Sequence, residues 1–414
     1  MAGFGSIATD RILAEGEGES ESAGELGYGA VVVFAARLTV LGSLNMDISV
    51  SVASLPAPGA TVLGGAAAFA PGGKGANQAV AAARLGVGAG LSVRMVGCVG
   101  DDDFGRTLRA TLRAEGVDDG AVRTVAGVPT GIAMITVDQA GENTITVAPG
   151  ANREVGAGEV AAARDSAAEV LVISAEVPVP VIRAALDGGI VDGAALRVLN
   201  LAPAPPEAAE LVAAHPDWLV VNESEAAAVL GRPVAGLAEA ARAAADLVAA
   251  GARNAVVTAG AAGAAYCGPR DAAEAEAGTA DANPADANPA DADTGDDNNA
   301  ADNEADNEAA DNARAQATAH ARSDGRQPGG GGRYTLVTVP GFKVRAVDSV
   351  GAGDTFVGAL AVALAAGVRP AEAVTAAAAA GATAATRAGT QSGMPGPADI
   401  LAATAYPWPV PPSE

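Results

Sequence analysis

The sequence predicts an α/β fold: a doubly wound, mostly parallel sheet with helices on both faces, and a small β lid beside it. Three observations carry the prediction. From residue 31 onward short β-rich runs alternate with alanine-rich helical stretches, the pattern of strand–helix–strand units that lay their strands side by side in parallel. The 414 residues are 50% hydrophobic but only 3% aromatic, so a large core is available and it is built from small side chains in close backbone contact. Two stretches, 51–70 and 132–147, break the alternation with prolines, glycines and β-branched residues, and together they make a separate small sheet.

The elements follow in order. Val31–Gly42 reads as a strand with a late start, and Lys74–Leu85 as a helix stopped by Gly86. Ser92–Val99 is a strand and Phe104–Glu115 a helix ended by Gly116. Ile132–Val147 alternates apolar and polar residues about Gly141-Glu142-Asn143, a hairpin signal. Strand Val170–Ser174, helix Val179–Leu186, strands Leu196–Leu201 and Trp218–Val221, helices Glu223–Leu230 and Leu237–Ala250, and strand Ala255–Thr258 continue the alternation. Residues 268–333 interrupt it with Asp-Ala-Asn-Pro-Ala and Ala-Asp-Asn-Glu repeats and a four-glycine run. Almost devoid of large apolar residues, this stretch reads as a disordered insertion, and it lacks the D-x-[DN]-x-[DN]-G loop of a calcium site. Tyr334–Val339 and Phe342–Val347 then read as strands, Thr355–Ala366 and Ala371–Thr386 as helices. Residues 1–30 read as a flexible acidic arm, too poor in apolar surface to offset the entropy of ordering it.

The formal charge is −24, from 49 acids against 25 lysines and arginines. The arm carries −5 of this and residues 271–330 carry −12, leaving −7 on the other 324 residues, an ordinary value for a soluble enzyme. Such a chain has no basic surface with which to neutralise nucleic-acid phosphates. No apolar run reaches the roughly 18–20 residues of a membrane span, and the acidic N-terminus fits neither a secretory signal nor a transit peptide. Cys98 and Cys267 form no C-x-x-C pair and no zinc spacing, which excludes a disulfide framework and points to a reducing cytosol. His215 and His320 are the two histidines; with no G-x-S-x-G and no H-E-x-x-H, chemistry built on histidine is excluded.

Four motifs remain. In Asp348-Ser349-Val350-Gly351-Ala352-Gly353-Asp354-Thr355-Phe356 small residues sit between a strand and an apolar helix, so backbone N–H groups at a helix start form an anion site. Asp354 there is either a capping carboxylate or, beside a phosphate cradle, the base a kinase needs to deprotonate a hydroxyl. Pro71-Gly72-Gly73-Lys74-Gly75-Ala76-Asn77-Gln78 opens another helix; it is a glycine-rich cap or a ligand loop, but not a Walker A loop, because Gly75 follows Lys74. Asn45 and Asp47 share one side of the chain just after the first strand, where α/β ligand sites lie, although both are also turn formers. Asn222 and Glu225 have the spacing of a capping box, which explains them without any function.

Taken in this order, the motifs resemble the ribokinase (phosphofructokinase-B-type) family of sugar and nucleoside kinases over residues 38–267 and 334–395. Gly-Gly-Lys-Gly-Ala-Asn-Gln and Asp-x-x-Gly-Ala-Gly-Asp-Thr-Phe are similar to the two signatures of that family. Gly-Ser-Leu-Asn-Met-Asp, and Gly141-Glu142-Asn143 before Gly150-Ala151-Asn152, are most similar to its ribose-phosphorylating members. The resemblance implies ATP-dependent phosphorylation of D-ribose at O5, with Asn45, Asp47, Gly73, Lys74, Asn77 and Glu176 holding the sugar. It implies that Asp354 is the base and Gly351, Ala352 and Gly353 the anion hole. Asn222, Thr258, Gly260 and Gly263, with Gly353, would contact ATP, and Glu225 would organise Mg²⁺ or another divalent cation through water. Asp348, Val350, Ala384, Arg387, Gly389 and Gly393 would hold K⁺. A cytoplasmic homodimer joined through the lid sheets, with no nucleic-acid or membrane partner, is implied as well. The chain departs from the pattern at Ser349, where threonine is frequent, and at Gly393, where a serine often supplies a cation ligand. The arm and the acidic insertion are also extra, the latter expected between strands near the nucleotide pocket. Another sugar or a nucleoside as substrate, and a non-catalytic sugar-binding regulator, are the alternatives; the Gly-Ala-Gly-Asp turn argues against the regulator, which has no use for a base beside a phosphate site.

Overall fold

The structure, a computed structural model, describes residues 36–164, 168–187, 195–270 and 333–410. The acidic arm, most of the acidic insertion, His320 and the first residues of the strand expected from Val31 lie outside the described residues.

Nine strands form one sheet in the order β13-β12-β11-β10-β9-β8-β1-β4-β5. They are β1 (Arg37–Leu41), β4 (Ser92–Gly100), β5 (Val117–Val125), β8 (Val170–Ser174), β9 (Leu196–Asn200), β10 (Trp218–Asn222), β11 (Asn254–Thr258), β12 (Gly263–Pro269) and β13 (Tyr334–Pro340). All neighbours are parallel from β5 to β11, while β12 and β13 add an antiparallel edge. Alternate residues feed two cores: Leu38 and Val40 of β1 and Val170 and Val172 of β8 enter one, Leu41, Leu171 and Ile173 the other. The first core is closed by α1 (Lys74–Leu85), α2 (Asp103–Ala114), α8 (Ala352–Ala365) and α9 (Pro370–Ala384). The second is closed by α3 (Ala157–Arg164), α4 (Val179–Leu186), α5 (Ala208–Ala213), α6 (Glu223–Leu230) and α7 (Gly236–Ala249). The fold is therefore the doubly wound α/β sheet expected from the alternation. Two short helices, α10 (Thr390–Gly393) and α11 (Pro397–Thr404), finish the described chain.

The lid is a second sheet of order β3-β2-β6-β7, made of β2 (Asn45–Ser51), β3 (Ala68–Gly72), β6 (Gly131–Val137) and β7 (Asn143–Ala148). Its hairpin turns where expected: Asp138 Oδ1 accepts from the N–H groups of Ala140 (2.9 Å) and Glu142 (3.0 Å). Its other two strands lie at the flanks of the 51–70 stretch rather than inside it, because the ladder to β6 runs only from Asn45 to Ser51.

Three expectations are corrected. Phe342–Val347 is not a strand: β13 is the sheet edge, so the chain beyond it has no neighbour to pair with, and Phe342 instead packs edge-on against Tyr406 at 5.9 Å. Two strands had no sequence signal. In β5 the Asp118-Asp119-Gly120 triplet reads as a turn, but Arg109 (2.6 Å) and Arg113 (2.9 Å) neutralise Asp119 and let the strand continue. In β12 the small residues carry little strand propensity; there Tyr266 stacks on Trp218 at 5.4 Å and donates its hydroxyl to Asn254 Oδ1 at 2.9 Å. The third correction concerns the insertion. Because β12 runs antiparallel to β11, its last residues pair with the start of β11 (Ala255 with Cys267), so the insertion departs from the end of the sheet opposite the carboxyl ends of the parallel strands. Its flanks meet there, with Arg270 N–H donating to the Arg333 carbonyl at 3.0 Å. Replacing residues 271–330 by a short glycine linker is accordingly expected to leave kcat and Tm almost unchanged; a large loss of either would show that the segment packs on the fold or acts on the site.

Candidate active site

The polar residues singled out in the sequence converge at the carboxyl ends of the parallel strands, about the switch point between β1 and β8, where the strand order reverses direction. Ser43, one turn beyond β1, donates its hydroxyl across that crevice to Glu176 Oε2 at 2.5 Å, and Lys74 N–H reaches the same oxygen at 3.2 Å. Gly73 caps α1 at φ 88°, a left-handed conformation that favours glycine, and a Cβ there would meet the Asn45 backbone nitrogen at 2.6 Å. That turn presses the first residues of α1 against β2 and brings Lys74 and Asn77 beneath the lid.

Asn45 and Asp47 are strand residues, not the turn formers of the alternative reading. Both stand on one face of β2, with Met46 and Ile48 on the other. Buried Asn152 holds Asn45 in place: it accepts from Leu44 N–H (2.9 Å) and donates to the Leu44 carbonyl (3.1 Å) and to Asn45 Oδ1 (2.8 Å). This leaves the Asn45 amide donors for a ligand.

Asp354 is 7% exposed and lies in the first turn of α8. Its carboxylate accepts from Asn77 Nδ2 at 2.9 Å and from Gln78 Nε2 at 3.1 Å. Gly351 starts that helix at φ 78°, packed against Thr390, while a Cβ built on Gly353 would meet nothing within 4 Å. The turn therefore shows an open face beside the Asp354 carboxylate, at a helix start where N–H groups lack intrahelical acceptors. Ala352 N–H is the exception, closing onto the Ser349 carbonyl at 3.2 Å.

The charges are coupled. The Asp354 carboxylate, with Glu176 and Glu225, holds the Lys74 ammonium above its ordinary pKa against the opposing effect of burial. Burial, reinforced by Glu176 and Asp354, pushes Asp47 up to about 7. Glu176 and Glu225 are also raised, mainly by burial. Three acids thus share one lysine, with Asp47 beside two of them, in a partly dry crevice, an arrangement suited to binding a neutral polyhydroxylated molecule and to moving a proton.

Towards the antiparallel edge, Asn222 and Glu225 form the capping box that their spacing suggested, with Asn222 Oδ1 accepting from Glu225 N–H (2.9 Å) and Glu225 Oε2 from Asn222 N–H (2.8 Å). The cap uses one oxygen of each side chain and leaves the Asn222 amide donors and the second Glu225 oxygen. Thr258 ends β11 beside them, and Gly260 and Gly263 shape the turn into β12. On the far side of α8, Asp348 joins the remaining candidates: its carboxylate accepts from Val350 N–H (3.0 Å) and Gly389 N–H (2.9 Å). Ala384 offers its carbonyl to Arg387 N–H at 3.1 Å, and the Arg387 guanidinium pairs with Asp399 at 2.5 Å, so only its carbonyl is left for a cation. A Cβ on Gly393 would meet the Arg387 carbonyl oxygen at 3.3 Å. Among the described residues no group of three His, Cys, Asp or Glu side chains is placed to hold a metal, and no helix is long and apolar enough to cross a membrane.

The family model of the pfkB carbohydrate kinases matches residues 35–288 and 331–397. The chain belongs to this family. Within it, the chain is 38% identical over 200 residues to a ribokinase of Schizosaccharomyces pombe, a match covering 47% of this chain and 62% of that relative. It is 37% identical over 228 residues to a ribokinase of Haemophilus influenzae, covering 55% of this chain and 72% of the relative. The structure of Arabidopsis thaliana ribokinase complexed with ribose and ATP shares the fold, with a TM-score of 0.64 and 24% identity over 89% of this chain and 98% of that one. The pfkB match passes over residues 289–330, so most of the acidic insertion is foreign to the family pattern.

Sequence reasoning missed Ser43, Gln78, Asn152, Asn200 and Gln391 as parts of the site. Ser43, Gln78 and Asn152 stand inside or beside the quoted motifs, and Asn200 ends a strand at the ligand side, signals that could have found them. Gln391 had none.

Proposed function

We propose that this pfkB-family chain transfers the γ-phosphoryl group of ATP to O5 of D-ribose. The observation that carries the reading is the buried Asp354 carboxylate, fixed by two carboxamides beside an open glycine turn at a helix start. Asn45, Asp47, Gly73, Lys74, Asn77 and Glu176 hold the sugar. Asp354 takes the proton of the 5-hydroxyl as that oxygen forms its bond to the γ-phosphorus and the bridge to the β-phosphate breaks. Charge growing on the phosphoryl oxygens faces the Gly351–Gly353 turn, where the α8 dipole favours it. Asn222, Thr258, Gly260 and Gly263 receive the nucleotide. The relatives named ribokinase, and the related structure that holds ribose and ATP, support both substrates. The binding-only alternative leaves Asp354 without a task. ADP release that requires D-ribose tests the reading; ribose binding with no ADP release would favour the regulator.

The free Glu225 oxygen suits a hydrated divalent ion such as Mg²⁺, and the Asp348 carboxylate with carbonyls of Val350, Ala384, Arg387, Gly389 and Gly393 is a hard-oxygen set suited to K⁺. When bound, such ions neutralise phosphate charge and stiffen the anion-hole turn. Because Asp348 already ties Val350 to Gly389, activity is expected to be higher in K⁺ than in Na⁺ or Li⁺. Equal rates in the three salts would remove the monovalent site. Ile145 and Val147 are exposed on the lid face that carries Asn45 and Asp47, and Phe69 and Met134 on the other; exposed apolar side chains on the lid support a homodimer joined there, and two buried free thiols suit a cytoplasmic setting.

A further inference from the structure

We propose that Gln78 and Gln391 are positioning residues that hold and orient the Asp354 carboxylate for proton abstraction. The inference rests on the reading of Asp354 as the base. Gln78 is wholly buried, and its single Nε2 group donates both to Asp354 Oδ1 (3.1 Å) and to Asn200 Oδ1 (2.9 Å). Asn200 is held in turn through the Val220 carbonyl at 3.3 Å. Gln391, 7% exposed, donates to Asn77 Oδ1 at 3.1 Å, which turns the Asn77 amide so that Nδ2 faces Asp354 Oδ2. Its backbone is fastened to α1 because Arg84 donates to the Gln391 (2.7 Å) and Met394 (2.8 Å) carbonyls while paired with Glu115. Each carboxylate oxygen thus receives one N–H from a chain of carboxamides anchored on opposite sides.

The orphaned atoms show what the arrangement is for. Gln78 Oε1 and Gln391 Oε1 are buried without a hydrogen-bond partner among the described residues. An unpaired buried carbonyl is costly and rare. Flipping either carboxamide would aim that oxygen at another acceptor, Asp354 and Asn200 for Gln78 and Asn77 for Gln391, so the donor side is dictated by the carboxylate network. Stability is given up at two side chains that share one output, the geometry of Asp354. The other ionisable groups acting on this crevice are Asp47, Lys74, Glu176 and Glu225, and neither glutamine changes its charge.

Gln78→Met keeps the volume, deletes the orphaned oxygen and removes one N–H from the carboxylate. It removes one orphaned oxygen but leaves Asn200 Oδ1 without its donor, so Tm is expected to change little, while kcat falls by about 10–10², the size of effect that a small misplacement of a reacting group has. The loss should fall on kcat, with KM for ribose and for ATP unchanged, because the carboxylate is misplaced while the binding groups stay where they are. Gln391→Met, acting through Asn77, should lower kcat in the same way by less, and it decides alone if Gln78→Met does not fold. Wild-type kcat, or a loss carried by KM with kcat unchanged, overturns the inference. Failure of the underlying reading looks different: wild-type protein then releases no ADP with ribose, or Asp354→Asn turns over normally.

Discussion

Asp354→Asn is expected to lower kcat by about 10²–10⁴, the usual worth of a general base, while the fold and the affinity for ATP stay close to wild type. The asparagine fits the same space at the start of α8, so secondary structure should hold. What changes is the ability to take a proton. Because Asn77 and Gln78 both present N–H groups to this position, a carboxamide here must turn one NH₂ group away or against them, which allows a modest loss of stability but no loss of the nucleotide site. Steady-state kinetics with saturating ribose and ATP, read beside ATP binding to the same variant, check this. Near-wild-type turnover would remove Asp354 from the chemistry.

The second large effect is discrimination between acceptors. Asn45, Asp47, Lys74, Asn77 and Glu176 present a dense set of donors and acceptors to one small ligand. A site built to pair hydroxyl groups rejects an analogue lacking one of them, by up to about 10⁴ in kcat/KM, because its own buried polar atoms lose their partners. Ribose should therefore exceed 2-deoxyribose and fructose. Nucleosides should be poor for a different reason. The apolar side chains nearest the sugar motifs, Met46 and Phe69, lie on the lid face opposite Asn45 and Asp47: Phe69 pairs with Ile48, and its ring rests 6.2 Å from Phe104. No flat apolar slot for a base faces the crevice from those residues. The check is kcat/KM across ribose, 2-deoxyribose, fructose, adenosine and pseudouridine. A tenfold advantage for any of the other four would overturn the sugar and leave the kinase.

Much of this fold was legible because local and global signals agree. The helix Lys74–Leu85 has the bounds that its apolar spacing and Gly86 mark, and β8, α4 and α6 also match residue for residue. The elements that escaped are those in which tertiary contacts override local preference: β5, where two arginines on α2 rescue an aspartate in a strand, and β12, where an aromatic stack holds an alanine–glycine run in the sheet. Phe342–Val347 shows the converse, strand-like residues with no neighbour to pair with. In the site, the motifs pointed to polar residues that the structure brings together in one crevice, since they sit on glycine-shaped turns at strand ends. The residues behind them were hidden, because Gln391 is 314 positions from the Asn77 it orients, and no local pattern records that distance.

Asp354 is proposed to activate one particular hydroxyl of one particular sugar. The most direct test is the identity of the product. D-ribose, ATP and a divalent cation are incubated with the full chain, and the product is read by phosphorus and carbon NMR. ADP and a ribose monophosphate whose phosphorus couples to carbon 5 are expected, formed at a rate that falls with Asp354→Asn. Phosphate on another ribose oxygen, or ADP accumulating with no phosphorylated sugar, would contradict it.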